Sequence, residues 1–489
     1  MWKKPWPIIV SSILCFAGLV IVFVTPIVLK SLVFYNSILR PESRVYNLWK
    51  HFPVRVSVDF YFFNWTNPED IYSKGVKPRF AEVGPYTYMV DLGKTDIVWN
   101  DNNTVTFRPI KYYYYSEDKS NGDLQDRITC PNPVSIAAAH VSRNWNYVVR
   151  RGLSLTLSGI APTVNISRTI DELLFTGYPD TLTKMAKTFP FFAGTEIPPW
   201  ERFGWFYKRN GTSDLEGIYN TGTGINSIFA KIYKWNYWSK SPYYEGTCAD
   251  IDGSTGEKFD QDSLGDRIKI FSMELCRAVV LQYVGDVDVD GISGRKYQLD
   301  DYMLDNGTKY PETKCSCSGD CLPYGVFNIS RCRYGSPAFG SLPHFHKAEP
   351  YFNSLVEGLH PEKEKHDFYI VVEPYTGFTL QARARLQINL LLHSIPGVTI
   401  YENVPTAFLP IMWFDHRIDV PDSELFMLKQ ILNVRWISTT IGVVMMVAGL
   451  LLVLYFIMKQ RRRNVRMKET LQNKVVLKRP EEKKLLSEK

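Results

Sequence analysis

Two uncharged apolar runs bracket the chain. Trp436 to Met458 stops at Lys459-Gln460-Arg461-Arg462-Arg463, and Pro7 to Leu29 follows Lys3 and Lys4 and precedes Lys30. At ~1.5 Å rise per residue, a helix of about 22 residues spans roughly 33 Å, enough to cross a ~30 Å hydrocarbon core, so each run predicts a membrane span. The first run exceeds the ~7 to 15 apolar residues of a signal peptide and lacks a small-residue cleavage site at Thr25 to Leu29, so it is read as uncleaved.

Between the runs the periodicity changes. Val54, Val56, Val58, Phe60 and Phe62 alternate with Arg55, Ser57, Asp59 and Tyr61, a period of two that predicts a strand with one buried face. Gly84-Pro85 marks a turn before Tyr86-Thr87-Tyr88. Ile97 and Trp99 are separated from Val105 and Phe107 by Asn100-Asp101-Asn102-Asn103, a hairpin with a polar loop. Pro133 to Arg151 has helical composition, and Ser167 to Phe175 reads as a helix capped by Ser167, so a helical section of about 133–200 interrupts the strands. Strands resume near Gly204. At Gly377 to Leu392, Phe378, Leu380, Ala382, Ala384, Leu386, Ile388, Leu390 and Leu392 share one face, while Thr379, Gln381, Arg383, Arg385, Gln387 and Asn389 share the other. That pattern predicts a long, half-buried strand of an antiparallel sheet or barrel. Asp422 to Arg435 reads as a helix leading into the second span.

Charge orients this arrangement. The net charge is +7, but residues 459–489 hold 12 Lys and Arg against 4 Asp and Glu, and with Lys3 and Lys4 they leave the middle slightly acidic. The basic balance belongs to the ends, which the positive-inside rule places in the cytosol, and it implies contact with anionic lipid rather than nucleic acid. The expected organisation is a cytosolic N-terminus at 1–6, spans at 7–29 and 436–458, a luminal or extracellular domain at 30–435, and an unstructured basic tail at 459–489. Sequons at Asn64, Asn102, Asn165, Asn210, Asn306 and Asn328 all fall in the middle, where glycosylation occurs. Seven of eight cysteines do too, six of them between Cys248 and Cys332, so an oxidising compartment predicts three disulfides among 15 connectivities, with Cys130 left over and Cys15 packed in the first span.

Catalytic and metal motifs find no support. Asp286-Val-Asp288-Val-Asp290-Gly291 opens like a calcium loop, but its twelfth position is Tyr297 where a bidentate Glu is required, so it reads as a polar turn. Cys315, Cys317, Cys321, Cys332, His344 and His346 could be drawn as a zinc site; the compartment makes disulfides the default, and the two histidines are expected on one side of an extended segment. There is no Gly-x-Ser-x-Gly elbow, and Thr221-Gly-Thr-Gly224 is too short for a dinucleotide fingerprint. No enzyme, cofactor or metal is expected.

Six longer segments carry a family likeness. FYFFNWTNPEDI at 60–71, EVGPYTY at 82–88, TIDELLFTGYPD at 169–180, RFGWFYKRNGT at 202–212, SLPHF at 341–345 and EPYTGFTLQARARLQIN at 373–389 together resemble the class B scavenger receptor family, to which fatty acid translocase and the lysosomal integral membrane protein of type 2 belong. The resemblance covers nearly the whole chain. It implies an α+β ectodomain between two spans, with an antiparallel β-barrel core, a helical bundle at the membrane-distal apex and an apolar tunnel toward the outer leaflet. It also implies pairing of Cys248 with Cys315, Cys276 with Cys332 and, in a tight loop, Cys317 with Cys321.

The implied function is a lipid receptor that binds lipoprotein, fatty acid, sterol or carotenoid ligands and conducts apolar lipid to the membrane, sparing it a water crossing that costs about 25 cal/mol per Å² of apolar surface. A sorting receptor with a protein cargo at its apex and a phagocytic recognition receptor are the alternatives, and a homo-oligomer stays open. Apex contact candidates are Arg143, Arg150, Arg151, Lys184 and Lys187, whose bland reading is a solvated helix face. The tails hold no cysteine for palmitoylation, but Glu481-Glu482-Lys483-Lys484-Leu485-Leu486 resembles an acidic dileucine sorting signal. Residence is expected at the cell membrane, with endosome or lysosome as the alternative.

Overall fold

A computed structural model of the chain describes residues 6–54, 56–188, 201–317 and 321–485. These form two compact units, one built from the two chain ends and one from Asn36–Pro421. In the first, α1 (Trp6–Ser37) packs against the C-terminal helix Asp422–Leu485, and each is long and apolar enough to cross a membrane. Small residues set the crossing. A Cβ on Gly18 would lie 2.5 Å from the Gly442 carbonyl oxygen, and one on Gly449 would lie 2.9 Å from that of Ser11 and 2.5 Å from Cys15 Sγ. Such close backbone approach is what small residues permit between helices in lipid. The C-terminal helix continues through residues expected to be an unstructured tail: from Lys459 to Arg479 the sequence is rich in Lys, Arg, Gln, Met and Leu and contains no Gly or Pro, so helix propensity is uninterrupted.

The second unit is organised by a 13-stranded sheet. Its main path runs Arg267–Ser272, Arg277–Val289, Ile292–Leu299, Tyr369–Val372, Thr379–Leu392, Ala407–Asp419, Val56–Trp65, Phe80–Asn100, Thr104–Tyr115, Tyr219–Gly222, Ile232–Trp235. Neighbours pair antiparallel throughout. The sheet curls until its two edges nearly meet. Ser254 fills the gap, bridging Lys231 of one edge and Ile270 of the other, so a barrel is almost closed. The helical section holds α3 (Pro133–Ser142), α4 (Tyr147–Ile160), α5 (Ile170–Leu174) and α6 (Thr181–Thr188), with α3 packed on α4 and α6, whereas α2 (Arg44–Lys50) sits elsewhere on the sheet, Tyr46 against Trp99 and Trp49 against Phe107. The part of the expected helical section at 189–200 lies outside the described residues, as does Arg55.

Four local expectations need correction. Gly84-Pro85 is no turn: both residues lie within the strand Phe80–Asn100, at a register shift against Val56–Trp65. The helix expected from Ser167 is α5, and its cap is Thr169: Thr169 Oγ1 accepts from the Glu172 N–H at 3.2 Å while Glu172 Oε2 accepts from the Thr169 N–H at 3.1 Å. Ser167 instead pairs with Thr129 in a two-stranded ribbon, a long-range contact that local pattern does not carry. The strand Val56–Trp65 is buried on both faces, not one. Its second face is covered as well: Tyr61 stacks on Trp413 of a neighbouring strand at 3.9 Å, Phe63 meets His344 edge-on, and Asp59 is satisfied by Thr87 at 2.8 Å and Arg417 at 3.0 Å. Finally, the polar face of Thr379–Leu392 is not solvated: Arg385, Gln387 and Asn389 are buried, with Gln387 donating to Asn389 Oδ1 at 2.7 Å and Asn389 donating to Ser341 Oγ at 3.0 Å.

Candidate ligand cavity

A cavity of about 670 Å³ lies between the helical section and the barrel. Local sequence builds its helical side. Asn132 caps α3 by accepting from the Ser135 N–H at 3.2 Å, with Pro133 at the first helical position. Val134, Ala137, Ala138 and Val141 then recur at helical spacing and face the cavity. Asn146 caps α4 by accepting from the Val149 N–H at 2.9 Å, which starts a second face of Val149, Leu153 and Thr156. The opposite wall is barrel: Leu386, Ile388 and Leu390 from the apolar face of Thr379–Leu392, and Phe414 beside them.

One corner is charged. Both carboxylate oxygens of Glu274 accept from Arg209 Nη1, at 3.1 and 3.3 Å, and Arg333 Nη2 donates to Glu274 Oε2 at 3.2 Å and to its carbonyl at 2.9 Å. Burial opposes the charge on Glu274, but Arg209, Arg333 and Lys111 outweigh it and hold the carboxyl at about 2. Two guanidiniums around one carboxylate leave this corner cationic. An apolar chamber with one polar end suits a molecule with a greasy body and a polar head.

The residues singled out from sequence are dispersed rather than convergent. Arg143 donates to the His140 carbonyl at 2.8 Å, Arg150 to the Arg143 carbonyl at 2.9 Å, and Arg151 lies 3.4 Å from Glu402 Oε1, so these three brace the helices. Lys184 is exposed on α6; Lys187 belongs to α6, but its side chain lies outside the described residues, as do those of Glu481 and Leu485, and all of Leu486. Asn102 and Asn210 are exposed, and Asn64, Asn165, Asn306 and Asn328 half-buried, all in the second unit. Cys248 pairs with Cys315, Cys276 with Cys332 and Cys317 with Cys321, at Cα separations of 5.7, 6.3 and 4.6 Å. Cys130 is free and buried, and burial pushes its thiol up to about 12. Asp288 accepts from the Gly291 N–H at 2.8 Å across a hairpin turn.

His344 and His346 do not share an extended segment. His344 sits in a turn at φ 53°, and the rings diverge, His346 to Asp367 at 2.9 Å and His344 to Glu82 at 2.5 Å. His366 completes a buried cluster with Glu82 and His344 whose donor atoms lie within 4.8 Å of one another. Backbone N–H groups of His360 and Glu362 point at the Nδ1 atoms of His344 and His366, at 3.0 and 2.9 Å, so each neutral ring carries its proton on Nε2. A metal at those Nε2 atoms would have to displace both protons, which disfavours ligation. Burial raises Glu82, but hydrogen bonds from His344 and from Trp413 at 2.8 Å outweigh that and hold it at about 2. Sequence reading missed Arg209, Glu274 and Arg333; the first lies inside the RFGWFYKRNGT segment, the other two carry no local signal.

Comparison with known proteins adds a further finding. A model of the CD36 family matches residues 9–460. Protein peste of Drosophila melanogaster is 37% identical over 392 residues, covering 78% of this chain and 69% of that protein. Scavenger receptor class B member 1 of Bos taurus is 31% identical (81% and 77% covered), and lysosome membrane protein 2 of Homo sapiens is 31% identical (86% and 86%).

Proposed function

Because the chain belongs to the CD36 family, we propose that it is a membrane-anchored lipid or lipoprotein receptor whose ectodomain takes an apolar ligand into the cavity between α3, α4 and the barrel and delivers it to the membrane. The cavity carries this reading: its walls are mostly aliphatic and aromatic side chains, its volume of about 670 Å³ lies within the roughly 300–1,000 Å³ of small-molecule sites, and the charged corner of Arg209, Glu274 and Arg333 would orient a polar head. Both termini are taken as cytosolic, from the Lys3-Lys4 and Lys459–Arg463 charges. The test is mass spectrometry of lipids retained by detergent-extracted protein, with Ala138→Trp as the plugged control. Retained lipid that the control loses supports the reading; wild-type protein carrying none refutes it.

A second reading has its own support. Similarity to lysosome membrane protein 2 and the Glu481 to Leu486 segment favour residence in endosomes or lysosomes, with a protein cargo on the exposed α4 surface. Immunolocalisation of the wild type and of Leu485→Ala with Leu486→Ala separates this from cell-surface residence.

A further inference from the structure

One buried amine in the second unit is held by rings rather than by a carboxylate. Lys258 is 7% exposed, and its Nζ lies 5.0 Å from the ring centre of Phe229 and 5.1 Å from that of Phe378. Other lysines of the unit show the ordinary arrangement: the buried Lys94 meets Glu257 at 2.6 Å, and the half-buried Lys111 meets Glu216 at 2.8 Å. Lys258 has no ion pair and no side-chain hydrogen bond among the described residues, and Asp260 acts on it only through space. Its backbone is pinned. Phe259 N–H donates to the Gly377 carbonyl at 2.7 Å, Thr379 Oγ1 to the Gly256 carbonyl at 2.6 Å and Ser254 Oγ to the Lys258 carbonyl at 2.6 Å, which fixes residues 254–259 beside Phe378.

An ammonium set against aromatic faces gains about 0.5 to 2 kcal/mol, which offsets only part of the hydration it gives up. Arginine would have to stay charged there; lysine can release its proton. Burial accordingly draws the Lys258 amine down to about 8. At pH 7.4 about a fifth of it is neutral, against about a thousandth of an ordinary lysine near 10.4. A neutral amine is a nucleophile for carbonyl carbon, and the flanks choose the carbonyl. Phe378 is 47% exposed, and Ile228, next to Phe229 in the chain, is 41% exposed, so the surroundings of the amine are apolar out to the surface. This is also the end at which the chain enters and leaves the unit: a Cβ on Gly224 would lie 3.6 Å from both Ile38 and Phe229, and Val420 donates its N–H to the Leu380 carbonyl at 3.3 Å. Neither Lys258 nor either ring lines the cavity between α3, α4 and the barrel.

We propose that Lys258 is a covalent capture site for aldehydes that carry an apolar chain. The Nζ lone pair attacks the aldehyde carbon and a C–N bond forms; the carbonyl oxygen then leaves as water with the two hydrogens of the neutral amine, and an imine remains. No electron is gained or lost. The step needs no oxidant or reductant, and hydrolysis returns the aldehyde and the free amine. Phe229 and Phe378, which flank the amine, then flank the start of the bound chain. Capture at Lys258 stands whether or not the cavity holds lipid.

The test treats full-length protein in detergent at about pH 7.4 with hexadecanal and, separately, with propanal, fixes the imines with cyanoborohydride and maps the adducts by peptide mass spectrometry. Hexadecanal should label Lys258 at least about 10-fold more than the exposed Lys234 and Lys240, and propanal should show a smaller margin. Phe378→Ala keeps the amine but removes one ring, and should cut the hexadecanal margin severalfold. Micelles concentrate hexadecanal equally around both proteins, so that comparison isolates the ring. Labelling of Lys258 no greater than that of Lys240 overturns the proposal, and so does an unchanged margin in Phe378→Ala. Should Phe378→Ala fold poorly, the wild-type map decides alone, since equal margins for hexadecanal and propanal overturn capture of an apolar chain.

Discussion

The two faces of the Thr379–Leu392 strand meet opposite environments. On one face Leu386, Ile388 and Leu390 border a chamber of about 670 Å³. On the other, Arg385, Gln387 and Asn389 are buried in a hydrogen-bonded ladder that reaches Asp415 at 3.0 Å, the His344 N–H at 2.6 Å and Ser341 at 3.0 Å. A wall facing unfilled volume gives up packing contacts and would be free to collapse inward. The satisfied polar ladder behind it supplies directional restraint, because any shift of the strand leaves desolvated donors without partners. The contrast teaches that a cavity wall is held in place by the face turned away from the cavity.

The contrast breaks most sharply from the packed side. Gln387→Leu removes the acceptor for the His344 N–H and the donor to Asn389 from a fully buried position, and should cost about 2 to 4 kcal/mol in denaturant unfolding of the purified protein, with a lower folded yield. A loss below half a kcal/mol would show that the ladder carries no load. Glu82 comes next. Its carboxyl is held below its unfolded value, so the stability it lends is present above about pH 4.3 and is lost as pH falls toward 2; the total is on the order of 3 kcal/mol, and Glu82→Gln should flatten that part of the pH profile of thermal unfolding. Parallel profiles for the two proteins would refute this. On the chamber side, Ala138→Trp should change stability by less than about 1 kcal/mol, because it fills space rather than overpacking a core, yet sharply reduce lipid content. A penalty of about 1 to 3 kcal/mol would mean the chamber is closed core. The smallest effect on folding belongs to Leu485→Ala with Leu486→Ala, which should leave the melting temperature of the ectodomain unchanged while raising surface abundance, measured by antibody binding to intact cells.

Alternation along the sequence made the apolar face of Thr379–Leu392 legible, and two uncharged runs made the membrane helices legible, because both signals are carried by neighbours in the chain. The polar face misled for the same reason. Whether Gln387 and Asn389 meet water depends on Ser341 and His344, more than 40 residues away. Long-range pairing also moved the α5 cap from Ser167 to Thr169 by drawing Ser167 into a strand with Thr129. The site followed the same division. Val134, Ala137, Ala138 and Val141 show helical spacing in the sequence, whereas the corner of Arg209, Glu274 and Arg333 joins residues at least 59 positions apart, with nothing local to announce them. Of the five cations legible as charge, Arg143, Arg150 and Arg151 brace carbonyls and Glu402.

Ser254 has a consequence for life at a crowded surface. Receptors confined to a membrane meet one another repeatedly in two dimensions, and an exposed row of strand N–H and C=O groups would invite neighbouring copies to zip together edge to edge. Here the two rims of a 13-stranded sheet are joined through Gly253 and Ser254: Ser254 donates its N–H to the Lys269 carbonyl at 2.9 Å and accepts from the Phe271 N–H at 3.0 Å, while Gly253 accepts from the Ile232 N–H at 2.8 Å. With those rim groups occupied internally, this seam offers no template for strand addition, and copies can be packed densely in a bilayer without polymerising through it.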